Sequence, residues 1–176
     1  MSHSGWRRRR SRYLFESAWF QLRQDDVTLP GGEDITYTLV EHGGYVVVVP
    51  LLDDGRVVME RLYRYTIDRD LLECPSGGSD GDPPEVAARR ELEEETGYRA
   101  GQLEPLGSFY GSTGISNERY DAFLATQLSA DGRLAREITE QIELERRALA
   151  GEIEDGASAL AILLAAAHRR GGRSTR

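Results

Sequence analysis

The sequence predicts an α/β protein with a central mixed sheet and flanking helices. Three observations predict it. The first half of the 176-residue chain is a succession of short apolar, β-branched runs separated by glycine, proline and aspartate clusters. The second half carries apolar residues at helical spacing, with start and stop signals around them. One run, Tyr45-Val46-Val47-Val48-Val49, is apolar throughout, as expected of a strand covered on both faces. A chain of this length can close a core without disulfides, and its 39% apolar and 30% charged residues exclude a collagen-like or wholly disordered polypeptide.

The elements follow in order. Arg7-Arg8-Arg9-Arg10 is read as part of a flexible basic tail over residues 1–12, because terminal charge runs are commonly solvated. Residues 13–168 read as a single domain, with 13–42 supplying N-terminal strands, and 169–176 as a second basic tail broken by Gly171-Gly172. Strand-like runs cover residues 19–22, 36–40, 45–51 and 56–62, and Asp54-Gly55 predicts a hairpin turn before the last of them. Tyr13, Phe15 and Trp19 are expected in the core, where strand aromatics usually lie. A helix is predicted from Asp82 as its cap, through Pro83 in the first turn, to Glu95, with Gly97 ending it in the left-handed conformation. Strand-like residues 103–110 and 120–126 come next, then helical patterns over 138–150 and 157–168.

Charge and cysteine content narrow the function classes. With 22 basic against 30 acidic residues the net charge is −8, which opposes nucleic-acid binding. No stretch approaches the roughly 20 apolar residues that span a bilayer. Cys74 is the lone cysteine, so an intrachain disulfide is excluded, and a reducing compartment, the cytoplasm, is the expected location.

The chemistry concentrates on the first helix. Glu91, Glu94 and Glu95 stand at i, i+3 and i+4, which places three carboxylates on one face. That pattern reads either as a solvated acidic face or as the oxygen ligands of a shared hard cation, Mg²⁺, Mn²⁺ or Ca²⁺. The glycine-rich loop Ser76-Gly77-Gly78-Ser79-Asp80-Gly81 just before it favours the cation, because backbone there can approach a ligand and carbonyls are free to join a metal shell. A Mg²⁺ that retains waters bridges protein carboxylates and substrate phosphates, so the pattern points to phosphate chemistry.

Gly77 to Tyr98 resembles the Nudix box, and Arg90-Glu91-Leu92-Glu93-Glu94-Glu95-Thr96-Gly97-Tyr98 fits its second half. In the first half, Asp82 stands where the pattern has a loop glutamate, and the loop is one residue shorter. The resemblance covers nearly the whole chain and is nearest the ADP-ribose and nucleoside diphosphate sugar pyrophosphatases. It is carried by Leu62-Tyr63-Arg64-Tyr65 ahead of Glu73-Cys74-Pro75-Ser76-Gly77, by the loop Ser112 to Arg119, and by Gly151 to Asp155 before the last helix.

This resemblance implies a Nudix-like α/β/α sandwich with a central mixed sheet and an additional N-terminal antiparallel sheet. It implies Mg²⁺-dependent hydrolysis of the pyrophosphate bond of ADP-ribose or a related nucleoside diphosphate sugar, with Mn²⁺ as a substitute cation. Glu91, Glu94, Glu95 and the carbonyl of Ser76 would hold the metal, and Arg64, Glu118 and Gly77 would bind substrate. The stretch from Leu128 to Gly151 is expected to lack a strand found in the family, and the catalytic base is sought there among Glu137, Glu140 and Glu143, with Glu140 the first choice. A homodimer is implied as well. The rival expectation is a Nudix-like binding or regulatory module that has lost its base. Arg64 reads alternatively as the ion-pair partner of Glu73 or Asp68.

Overall fold

Four consecutive valines organise the larger part of the molecule. The computed structural model describes residues 5–130 and 137–172. Its elements are β1 (Arg7–Glu16), β2 (Gln21–Thr28), β3 (Asp34–Glu41), β4 (Tyr45–Pro50), β5 (Arg56–Arg64), a 3-10 turn (Tyr65–Ile67), β6 (Arg69–Glu73), β7 (Ser76–Gly78), α1 (Pro84–Thr96), β8 (Tyr98–Tyr110), β9 (Arg119–Ala130), β10 (Glu137–Glu140), α2 (Gln141–Leu149) and α3 (Gly156–Gly172). The chain gathers into two compact units, residues 1–44 with 110–119, and residues 45–109 with 120–176.

In the second unit β4 is central because its side chains alternate between two apolar layers. Val46 and Val48 meet Ala87, Ala88 and Leu92 of α1, together with Phe123 and Ala125 of β9. Val47 and Val49 belong to the opposite layer, with Leu144 of α2 and Ala161, Ile162 and Ala165 of α3. The sheet runs β7-β4-β9-β8, with β9 parallel and β7 antiparallel to β4. It is therefore mixed, with helices on both faces. A second sheet runs β10-β5-β6. The turn at Asp54-Gly55 leads into β5, with Gly55 at φ +90° as the turn requires.

Helix α1 ends as expected, with Gly97 at φ 71° and its N–H bonded to the Glu93 carbonyl. Its start differs. Pro83 is the N-cap and no side chain caps the helix, so Asp82 does not play that part. The Asp82 N–H instead donates to the Ser79 carbonyl. Pro84 removes one of the donors that a cap would have to satisfy.

Two further expectations are corrected by strand pairing. Residues 7–12 are the first part of β1, paired antiparallel to β2 with Arg10 opposite Asp26 and Ser11 opposite Asp25. Cross-strand acids supply the reason: Arg9 bridges Asp34 at 2.9 Å, and Arg8 acts on buried Asp25. Tyr13, Phe15 and Trp19 are 49%, 52% and 81% exposed, so they are not core. The stretch between Leu128 and Gly151 does contain a strand. Ile138 and Thr139 of β10 lie opposite Val58 and Val57 of β5, and the helix begins only at Gln141. An available edge of β5 outweighs a local helical pattern there. At the other end, α3 continues through Arg169 and Arg170 to Gly172, and residues 173–176 lie outside the described residues.

Among the described residues, no helix is long and apolar enough to cross a membrane.

Candidate active site

Strand β7 carries the loop residues and α1 the acids, and the close approach of the two defines the site. At Gly77 a Cβ would lie 2.1 Å from Cδ and Oε2 of Glu91, so only glycine leaves room for that carboxylate. Glu91 is buried, and burial raises its proton affinity while the Arg90 guanidinium opposes the shift. Arg90 is the fastener of the loop. One of its nitrogens donates to Glu91 at 2.6 Å and lies 3.6 Å from Glu94; another donates to the Gly78 carbonyl at 2.7 Å and to Asp80 at 3.2 Å. A single planar fork thereby ties loop to helix.

Glu95 points back to the strands. Its Oε2 accepts the Ser76 N–H at 2.8 Å, and its side chain hydrogen-bonds with Glu60 of β5. Burial, followed by the negative charge of Glu60, pushes Glu95 up to about 7. Two carboxylates this close repel each other, and a hard divalent cation is the natural group to neutralise them. Buried Glu60 and Glu91, half-buried Glu95 and the glycine loop beside them are the oxygen donors that such a cation takes.

Arg64 closes β5. Its Nε donates to Glu73 Oε1 at 2.7 Å and its Nη2 to Glu73 Oε2, a bidentate pair with a carboxylate only 3% exposed. Of the two ion-pair partners named for Arg64, Glu73 is the one used. Asp68 instead accepts the Tyr63 hydroxyl at 2.6 Å.

The NUDIX domain family matches residues 41–144, and a nucleoside diphosphate sugar hydrolase N-terminal domain matches residues 6–40. The chain belongs to the Nudix family. An ADP-ribose pyrophosphatase of Bacillus subtilis is 38% identical over 117 residues, covering 66% of this chain and 63% of that protein. An ADP-ribose pyrophosphatase of Mycobacterium tuberculosis is 37% identical over 164 residues, covering 87% of this chain and 79% of that one. A GDP-mannose pyrophosphatase of Salmonella typhimurium is 36% identical over 168 residues, covering 84% and 88%. The match thus spans less than two thirds of the Bacillus protein. A solved structure described as an ADP compounds hydrolase superposes with a TM-score of 0.77 over 95% of both chains at 18% identity, which is a likeness of fold.

With the Nudix box placed, the predicted residues sort by position. Ser76, Gly77, Glu91 and Glu95 are brought together. Glu94 is exposed and stands apart from them: the three box carboxylates do not converge, since Arg90 draws Glu91 and Glu94 while Glu60 and Ser76 hold Glu95. Among the described residues, no three His, Cys, Asp or Glu side chains are gathered closely enough to hold a metal ion as arranged. Glu118 belongs to the first unit, with Oε1 3.5 Å from His42 Nδ1. Glu137 and Glu140 lie on β10, but their side chains fall outside the described residues. Glu143 on α2 is taken by Arg146 at 2.8 Å, which lowers its proton affinity.

Sequence reading missed Glu60 and the fastening role of Arg90. A signal for Glu60 was present: a lone acid after Val57-Val58-Met59, in a run otherwise suited to a buried strand.

Proposed function

We propose that this Nudix protein hydrolyses the pyrophosphate bond of ADP-ribose or a related nucleoside diphosphate sugar, releasing a nucleoside monophosphate and a sugar phosphate. One observation carries the reading: buried Glu91 and Glu60, with Glu95 beside Glu60, stand next to a glycine loop that Arg90 fastens to α1. The names of the Bacillus, Mycobacterium and Salmonella relatives support the substrate class. Glu91, Glu94, Glu95 and the Ser76 carbonyl would hold Mg²⁺, with Mn²⁺ as a substitute. When bound, such a cation neutralises the diphosphate, polarises phosphorus and lowers the pKa of its water.

In this scheme Arg64 binds the diphosphate, the backbone at Gly77 approaches it, Glu118 contacts the substrate, and Glu140 takes the proton of the attacking water. The protein acts in the cytoplasm as a homodimer, a state that light scattering of the purified chain would test. The deciding experiment is an assay of the chain with Mg²⁺ against ADP-ribose, UDP-glucose, GDP-mannose and nucleoside triphosphates. Hydrolysis confined to diphosphate sugars supports the reading, and no turnover of any of them defeats it. A relative in Bacillus methanolicus, 38% identical over 117 residues, is named methanol dehydrogenase activator, which favours a regulatory module as the second reading. Binding of a nucleoside diphosphate sugar without hydrolysis would select it.

A further inference from the structure

We propose that Glu73 is a positioning residue, holding the Arg64 guanidinium so that its remaining N–H donors are presented to the substrate diphosphate. The inference rests on the hydrolase reading and assigns a role to a side chain that the reading leaves unused. Within the β5–β6 ladder, Arg64 lies opposite Arg69, and Glu73 lies opposite Glu60. The Arg64–Glu73 pair therefore reaches four register positions along the hairpin. Asp68 and Asp70 are nearer in the chain, yet Glu73 takes the guanidinium. That choice needs a reason, because a buried carboxylate is costly and a well-packed apolar residue would serve stability as well or better.

Geometry supplies the reason. Glu73 is almost wholly buried and accepts from Nε and Nη2, so one edge of the guanidinium is fixed by a rigid fork. Nη1 makes no hydrogen bond among the described residues, and the Arg64 side chain is 44% exposed. The open edge is thus preset in direction while staying accessible. Glu95 and Asp155 also act on the Arg64 charge, so the guanidinium lies within electrostatic reach of Glu95. A diphosphate engaging the cation site would find donors already oriented, with the rotamer entropy of a long side chain lost beforehand. Freeing one arginine of that constraint corresponds to an effect of order tenfold on affinity.

The test compares Glu73→Gln, Arg64→Ala and the double variant in the full chain. KM and kcat are measured with ADP-ribose and Mg²⁺. Calorimetry measures Kd for an ADP-ribose analogue with methylene in place of the bridging oxygen. The expected result is that Glu73→Gln raises KM and Kd about tenfold with kcat within about twofold. The double variant should bind no worse than Arg64→Ala alone, because Glu73 acts only through Arg64. A merely structural Glu73 would lower the melting temperature and the active fraction but leave Kd of the folded protein unchanged, and that result overturns the proposal. Should Glu73→Gln fail to fold, Glu73→Asp decides: it keeps the charge but shortens the reach to the guanidinium, so unchanged KM and Kd overturn the proposal and raised ones with kcat retained support it. Unchanged KM and Kd in Glu73→Gln, with Arg64→Ala impaired, overturn the role of Glu73 while the hydrolase reading stands. A parental chain that neither hydrolyses nor binds overturns both.

Discussion

Replacing Gly77 by alanine tests whether the Glu91 carboxylate must stand where the structure puts it. The new Cβ would lie 2.1 Å from Cδ and Oε2 and 2.5 Å from Oε1, whereas ordinary contact begins near 3.4 Å. The carboxylate must therefore retreat by about 1 Å, a displacement that costs roughly 100-fold in rate when it falls on a group that orients chemistry. A free glutamate could swing aside cheaply, but Glu91 is 8% exposed and is held by Arg90, which also holds the Gly78 carbonyl and Asp80. Moving it strains the clamp between loop and helix. Overpacking of this kind costs about 1–3 kcal/mol, which for a chain of this size lowers Tm by roughly 2–12 °C. Turnover of ADP-ribose at saturating Mg²⁺ and scanning calorimetry read both effects. Gly31→Ala is the control, since nothing lies within 4 Å of its added Cβ. If Gly77→Ala turns over substrate at the rate of the Gly31→Ala protein, Glu91 does not act from its observed position and the site argument fails.

Three other outcomes are expected. Glu95→Gln should lower turnover by more than about 100-fold with the fold retained, because glutamine suits a helix but cannot supply a carboxylate; parental turnover across a Mg²⁺ titration would contradict this. Glu95 is raised to about 7 from the ordinary glutamate value of 4.5, so in EDTA its contribution to stability is full below about 4.5 and is lost as pH rises through about 7. Over the same window cation binding strengthens with pH as the proton leaves. Thermal melts of the parental chain and Glu95→Gln from pH 5 to 8, with and without Mg²⁺, should differ in slope, and identical slopes would refute the raised proton affinity of Glu95. Finally, Glu140→Gln should reduce kcat strongly while leaving analogue binding intact, with Glu143→Gln as the control already paired to Arg146. A kcat equal to that of the control would move the base elsewhere.

Much of the second unit could be read directly from the chain. The valine run of β4, the turn at Gly55, helix α1 with its Gly97 stop, and α3 all rest on local chemistry that survives burial unchanged. The sequence put Glu91 and Glu95 on a helix next to the glycine loop, whereas the close approach of Gly77 is to the Glu91 carboxylate, which the sequence did not show. Other elements depended on partners far along the chain. An arginine run looks like a tail until Asp26 and Asp34 are set across from it by the β2–β3 hairpin. Residues 137–140 look helical until the edge of β5 offers backbone pairing.

The division has a physical basis. Periodicity, caps and turn residues act within a few positions, so sequence alone determined the α/β class, the sheet between two apolar layers, the Nudix box on its helix and the acidic character of its face. Charge balance at the site depends on distance through space rather than along the chain. Only the tertiary structure could show that Glu95 meets Glu60, that Arg90 fastens the Gly78 carbonyl and Asp80 to the helix, and that Arg64 is held by Glu73 rather than Asp68. Each of those pairings brings together groups from separate strands, or from a helix and a strand or loop, and helix spacing carries no information about them.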